Sequence, residues 1–256
     1  MEGMLELLSP LSAAINLGLV LLAALTSGVS AAVGIGGGTL LIMVMAQVMP
    51  ATALIPVHGM VQLGSNGGRA VMTWRHIDRG LLVAFLPGVV LGALVAAWLM
   101  VRLSPGVLEL CIAAFVLYSC WGPGWPRGWL GHAGTLLAGA LTTFLSSLVG
   151  ASGPLVGAVI KQHFSERLPR VATFAACMSF QHLTKAFVFG VAGFVFRDWL
   201  ALMVAMIVAG LAGTWLGLRL LRHLSDRRFD TLFKWVLTLL ALRLIWLGLG
   251  RLGIVA

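Results

Sequence analysis

The stretch that decides the fold is GIGGGT at residues 34–39, which stands between two apolar runs. A second version of it, GASGP, occupies residues 150–154 and again separates two apolar runs. Consecutive glycines interrupt a helix, and the backbone N–H and C=O groups released there are costly if they face hydrocarbon. If the flanking runs cross a membrane, both interruptions must therefore line a cavity or lie inside the protein.

The composition indicates that the flanking runs are membrane segments. Of the 256 residues, 60% are hydrophobic and only 10% are charged, and the mean hydropathy is +1.02. A soluble domain keeps about a quarter of its residues charged, so this composition excludes a soluble, a disordered or a disulfide-stapled protein. The net charge of +9 comes without a basic stripe of interleaved aromatics, and such a surplus is typical of cytoplasmic loops rather than of nucleic-acid binding.

Apolar periodicity, interrupted by glycine, proline and charge, predicts ten helical segments. They lie near 11–33, 38–49, 52–73, 80–101, 106–121, 130–149, 154–164, 170–195, 199–221 and 230–249. Most can span about 30 Å of hydrocarbon at 1.5 Å per residue, whereas the second and seventh reach only about 18 Å. We therefore expect an all-α polytopic membrane protein with two short helices, each following a glycine break. Whether these two cross the membrane fully stays open.

The two halves of the chain, 1–125 and 126–256, repeat each other at an offset of about 116 to 121 residues. Corresponding residues include Thr26 and Thr142, Ser30 and Ser146, Gly37 and Gly153, Arg69 and Lys185, and Gly92 and Gly213. Five segments per half is an odd number, so the second half enters the membrane inverted if all segments cross. With both termini periplasmic, most loop arginines fall on the cytoplasmic side. We expect two inverted repeats, forming one integral membrane domain, whose broken helices meet near the midplane.

Polar residues of the third segment in each half are expected to face the site where the breaks meet. A helix that starts after a glycine break directs free N–H groups and its positive dipole end toward that site. Lys185 lies about fifteen residues into its apolar run, where a lone charge costs roughly 2.5–3.5 kcal/mol, and no acidic residue lies at similar depth. A bound anion is its expected partner. The predicted binding residues are Gly36, Gly37, Gly38, Asn66, Arg69, Ser152, Gly153, Gln181, His182 and Lys185.

Several of these assignments have alternatives that the sequence leaves open. The glycine breaks could instead serve close helix packing through small residues. Lys185 could be a structural cation solvated by backbone carbonyls, and Arg69 could reach the cytoplasmic interface. His58 and His182 could be hydrogen-bonded core histidines.

The GIGGG break at 34–38, its degenerate repeat at 150–154 and the two-half layout resemble the sulfite exporter (TauE/SafE) family of membrane transporters. The resemblance implies movement of a small sulfur-containing anion, such as sulfite, thiosulfate or a sulfonate like sulfoacetate, across the bacterial inner membrane, without an organic cofactor. Ala151-Ser152-Gly153 departs from a fuller glycine run, so Ser152 either donates a hydroxyl to the anion or narrows the site.

The mechanism expected from these features is secondary transport by alternating access, because no nucleotide-binding motif is present. No catalytic or metal-ligating residue is expected. The expected partners are a small anionic solute and membrane lipid, with a homodimer left open and no nucleic acid.

Two other interpretations stay open. The GASG of residues 150–153 also fits the Gly-x-Ser-Gly of rhomboid intramembrane proteases, with Ser152 as nucleophile and His182 as base. Against it, the first half has Gly36 in place of the serine, and Pro154 lacks an N–H that an oxyanion hole could use. The other interpretation is a membrane assembly subunit that transports nothing.

Overall fold

The computed structural model describes residues 8–33, 36–99, 104–123, 131–220 and 226–255. Over these ranges the chain is all-helical, with ten α-helices, two short 3-10 turns and no strand. The helices are α1 (Ala13–Val33), α2 (Gly37–Val48), α3 (Ala51–Met72), α4 (Arg79–Leu99), α5 (Pro105–Trp121), α6 (His132–Val149), α7 (Gly153–His163), α8 (Arg167–Val191), α9 (Leu200–Leu220) and α10 (Asp226–Arg251).

Each predicted segment corresponds to one observed helix, so the all-α prediction is confirmed for the described part of the chain. The largest differences are at α8, which begins at Arg167 instead of 170 and ends at Val191 instead of 195, and at α10, which begins at Asp226 instead of 230. Both helices begin earlier because their first turns are polar, and apolar periodicity does not detect polar turns. Gly34, Ile35 and the predicted boundary between the halves at 125 lie outside the described residues.

Within the described ranges, four helical segments are long and apolar enough to cross a membrane: Ala13–Ala32, Arg79–Trp98, His132–Val149 and Phe196–Leu220. Their outward side chains agree with a lipid environment, since Trp98 on α4 is 85% exposed and Leu21 on α1 is 62% exposed. Water-facing surfaces rarely carry apolar areas that extend over several helices. The protein is therefore a membrane protein.

Local signals in the sequence set several helix ends. The Leu81 N–H donates to Asp78 Oδ1 at 2.8 Å, so Asp78 caps the start of α4. The buried Glu109 in the first turns of α5 pairs with Arg251 at the end of α10 at 2.6 Å, as expected for an acid near a helix end. This pair joins the fifth helices of the two halves at one end.

The main helix contacts connect residues 1–125 with residues 126–256. The first helix of each half packs on the fourth helix of the other, α1 on α9 and α6 on α4. The third helices, α3 and α8, pack together, and so do the fifth helices, α5 and α10. Each half therefore completes its packing only against the other.

Glycines permit the two first-with-fourth contacts. A Cβ on Gly92 of α4 would collide with the Ala140 carbonyl of α6, and a Cβ on Gly213 of α9 would collide with the Ala24 carbonyl of α1. Gly92 corresponds to Gly213 in the predicted repeat, and Ala24 precedes Ala140 by the offset of 116. The same kind of residue thus brings backbones into contact at corresponding places of both halves.

Replacing Gly213 by alanine should destabilise the protein, because the added methyl group must push α1 and α9 apart. Overpacking of this kind costs about 1–3 kcal/mol. The matched control is Gly18→Ala on α1, where an added Cβ meets no atom within 4 Å. Thermal unfolding in detergent should show a lower midpoint for Gly213→Ala only. Equal midpoints would contradict the close approach of these helices.

Candidate functional site

A small cavity lies where α1, α2, α3, α7 and α8 meet. Six predicted binding residues line it: Gly36, Gly38, Asn66, Ser152, Gly153 and His182. The other lining residues are Ser30, Thr39, His58, Gln62, Gly150, Ala151, Phe174 and Met178. The predicted residues Gly37, Arg69, Gln181 and Lys185 do not line it, although the last three contact residues that do.

Two helices begin at the wall of this cavity. Helix α2 has Gly36 as its N-cap, with φ at 109°, a conformation that favours glycine. Helix α7 has Ser152 as its N-cap. Neither N-cap residue caps its helix with a side chain. The positive ends of both helix dipoles, one from each half of the chain, therefore open onto the same space.

Gln181 fixes the wall around Ser152. Its Oε1 accepts the Ser152 hydroxyl at 2.7 Å, and its Nε2 donates to Thr142 Oγ1 at 2.7 Å and to Thr143 Oγ1 at 2.9 Å. Both the oxygen and the nitrogen of the Gln181 amide are thus hydrogen-bonded. Gln181 and its three partners are all buried. Because the Ser152 hydroxyl donates its hydrogen to Gln181, it has none left to donate to a ligand. Ser152 therefore contributes to the shape of the cavity wall. This geometry favours the narrowing role of Ser152 over the donor role.

Arg69 lies behind the opposite wall. The residue is 1% exposed, so its side chain lies inside the protein rather than on its surface. Nη1 donates to Asn66 Oδ1 at 3.1 Å, and Nη2 donates to the Ser27 carbonyl at 3.4 Å. Asn66 in turn donates to Gln62 Oε1 at 3.0 Å. Because Asn66 and Gln62 line the cavity, a chain of hydrogen bonds from Arg69 through Asn66 to Gln62 connects the guanidinium to it.

Lys185 lies behind the loop at 150–152. Its Nζ donates to the Gly150 carbonyl at 2.9 Å, and the side chain is 1% exposed. Its stem crosses α3 at Gly59, where an added Cβ would lie 3.1 Å from Lys185 Cδ. The ammonium therefore has a protein acceptor at the C-terminal end of α6, where the helix dipole favours a cation. A backbone carbonyl is the kind of partner that the alternative interpretation of Lys185 expected, although the sequence did not indicate which carbonyl, and the contact puts the ammonium directly beside the cavity wall.

Two histidines face each other across the cavity. His58 on α3 and His182 on α8 have ring centroids 6.0 Å apart, with an edge-on angle of 79°. His58 Nε2 makes a hydrogen bond to the Gly38 carbonyl at 2.9 Å. Neither ring nitrogen of His182 has a hydrogen-bond partner among the described residues. The interpretation as a hydrogen-bonded core histidine thus fits His58, but it does not fit His182.

Sequence reasoning left His58 and Gln62 out of the predicted site, although a signal for them was present. His58, Gln62 and Asn66 follow each other at a spacing of four, which places them on one face of α3. Thr39 also had a signal in the sequence, because it directly follows the glycine run at 36–38. Phe174 and Met178 gave no signal, because apolar residues on a membrane helix do not differ from core residues.

Ser152 and His182 do not form the pair that a serine protease requires. The Ser152 hydroxyl donates to Gln181, and the His182 nitrogens are unpaired within the described part of the chain. An activated serine instead donates its proton to the base. This arrangement counts against the rhomboid interpretation.

Replacing Gln181 by leucine should destabilise the site, since it leaves the buried hydroxyls of Ser152 and Thr143 without this partner. Each such group costs about 1–3 kcal/mol. The matched control is Gln47→Leu on α2, because Gln47 makes only long bonds, of 3.3 Å to Met43 O and 3.4 Å to Leu240 O. Thermal unfolding should separate the two variants, and a similar loss in both would contradict the central role of Gln181.

Comparison with known proteins identifies a family. No curated protein and no solved structure matches the chain. The sequence model of the sulfite exporter TauE/SafE family matches residues 19–244, which include every residue of the site described above. The family consists of membrane transporters of sulfur-containing anions. The chain therefore belongs to the sulfite exporter TauE/SafE family.

Proposed function

We propose that this protein is a secondary transporter that moves a small sulfur-containing oxyanion across the bacterial inner membrane by alternating access. The observation that carries this proposal is the pair of helix N-termini, α2 and α7, that open into one buried cavity. Membership of the family supplies the transported class, small sulfur anions. Sulfite, thiosulfate and a sulfonate such as sulfoacetate are the candidate substrates.

The charges around the cavity favour an anion. Lys185 and Arg69 lie behind its two walls, and its lining includes no aspartate or glutamate among the described residues. Gln62 and His182, both in the lining, can donate hydrogen bonds into it. Compact oxyanions accept several such bonds at once, and helix N-termini stabilise negative charge. A cation would find few acceptors here.

The apolar part of the wall favours a sulfur anion over phosphate. Phe174 and Met178 line the cavity next to the polar groups. Thiosulfate carries a polarisable terminal sulfur, and a sulfonate carries a carbon chain, so each has one side that tolerates an apolar surface. Phosphate presents polar oxygens in all directions and would leave one of them facing these side chains.

The helix contacts support alternating access by two inverted repeats, residues 1–125 and 126–256. Each repeat contributes one helix N-terminus to the cavity, and the first-with-fourth contacts occur in both directions. In transporters built from inverted repeats, the substrate lies between the repeats and one rocks against the other. The short lengths of α2 and α7, 12 and 11 residues, suit helices that begin near the midplane. In this arrangement both termini are periplasmic.

A membrane assembly subunit without transport activity is the remaining alternative. It explains the packing of the helices but gives no role to two buried cations beside a polar cavity. The anion-binding experiment below decides between the two.

Purified protein should be stabilised against heat by millimolar sulfite, thiosulfate or sulfoacetate, because a ligand that binds only the folded state raises its stability. Lys185→Met should lose this stabilisation, since the substitution removes the positive charge beside the cavity but keeps the length of the side chain. The measurement is the shift of the unfolding midpoint with each anion.

The matched control is Lys161→Met, at an exposed lysine near the end of α7. It should keep the full shift. An equal shift in Lys185→Met and the wild-type protein would exclude Lys185 from the binding site. No shift of the wild-type protein with any of the three anions would contradict the proposed substrate class.

A further inference from the structure

His182 is the buried polar group of the cavity that the packing leaves unexplained. It is 1% exposed, it lines the cavity, and neither ring nitrogen has a partner in the part of the chain that the structure describes. A buried polar group is normally hydrogen-bonded, so a ring that faces a cavity without a partner points to a ligand. An imidazole can serve this ligand in two ways, as a neutral hydrogen-bond donor or as a site that takes up a proton.

Resting on the proposed function, we propose that His182 binds the proton that crosses the membrane together with the anion. A proton from water on the loading side binds to the free ring nitrogen, the imidazolium pairs with the anion in the cavity, and both leave to water on the release side. No other bond forms or breaks in this step. The translocated pair carries one negative charge less than the anion alone.

The neighbouring groups explain why His182 is favoured for this role. His58 uses its Nε2 on the Gly38 carbonyl and keeps only Nδ1 without a partner, and Lys185 uses its ammonium on the Gly150 carbonyl. The lining holds no carboxylate among the described residues, so no acid can relay the proton. Among the described residues of the lining, His182 is therefore the titratable side chain that has both ring nitrogens free.

The surrounding charges couple the proton to the anion. The nearest charged or titratable side chains are Lys185, three residues further along α8, and His58 on α3, whose ring centroid lies 6.0 Å from that of His182. A positive charge on Lys185 disfavours a second positive charge on His182. The 3-10 turn Trp74–His76 and helices α4, α6 and α7 also pack on α8, but their titratable side chains, Arg75, His76, Arg79, His132, Lys161 and His163, lie in the turn or at helix ends, as do Arg69 of α3 and Arg167 and Arg170 of α8. A proton on His182 is thus stabilised mainly when an anion lies beside it, and the coupling is reciprocal.

The test uses the full-length protein in proteoliposomes, with radiolabelled thiosulfate, sulfoacetate and sulfite as probes. Sulfite itself takes up a proton near neutral pH, whereas the other two keep an ionised sulfur group, so they report on the protein more directly. An inward proton gradient should accelerate wild-type uptake several-fold. His182→Gln keeps a hydrogen-bonding side chain but cannot titrate. It should lose the acceleration, and whatever exchange of labelled for unlabelled anion remains, which needs no net proton movement, should not respond to the gradient.

His163→Gln is the matched control, because His163 lies at the end of α7 and bonds only to its own helix at the Val159 carbonyl. It should respond to the gradient as the wild-type protein does. His182→Asn is the second variant in case His182→Gln does not fold. A measurement on the wild-type protein alone adds an independent check: its Kd for thiosulfate should fall up to about tenfold per unit of decreasing pH, as one linked proton requires.

Three outcomes would overturn the proposal. Uptake by the wild-type protein that ignores the gradient, or equal acceleration in His182→Gln and His182→Asn, would exclude proton coupling at His182 and leave the transport function standing. A Kd that does not change with pH, weakened equally at every pH by His182→Gln, would make His182 a neutral hydrogen-bond donor only. If the wild-type protein neither binds nor transports any of the three anions, the proposed function falls together with this inference.

Discussion

Inside a bilayer, a backbone N–H or C=O group without a partner is so costly that a chain can interrupt its helices only where protein or water replaces the lost hydrogen bonds. This chain interrupts its helices between α1 and α2 and again between α6 and α7. Both interruptions lie at one buried cavity, enclosed by the third helices of the two halves. The glycine contacts of α1 with α9 and of α4 with α6 bring the two halves close together, so that they can enclose this cavity.

Two basic side chains are buried beside the cavity, and no acidic side chain of the described residues lines it. Arg69 and Lys185 each find backbone or amide oxygens, and these acceptors belong to segments that line the cavity or reach it through Asn66. Carbonyl oxygens satisfy the hydrogen bonds of a cation but do not neutralise its charge. The site therefore keeps a positive potential that a bound anion would lower. This is the physical link between the packing of two buried cations and the transport of an anion.

The helix map could be derived from the sequence almost completely, since helices in a membrane must be long, apolar and internally hydrogen-bonded. The glycine breaks, the short α2 and α7, and the capping role of Asp78 all follow from local residue patterns. The partners of the buried cations could not be derived in this way. Lys185 bonds to Gly150, thirty-five residues away in the chain, and its path across α3 depends on Gly59, which no local pattern of α8 reveals.

What the sequence by itself determined is the class of protein, the order of its helices and the places where the backbone must be enclosed. These depend on composition and on short-range spacing, which each segment carries independently. Only the tertiary structure decided which polar residues share the cavity and which stand behind it. In the structure Gln181 lies behind Ser152, and His58 and Gln62 line the cavity. The ring of His182 has no hydrogen-bond partner among the described residues. These outcomes depend on how helices from opposite halves rotate against each other, and a few degrees of rotation exchange a lining residue for a packed one.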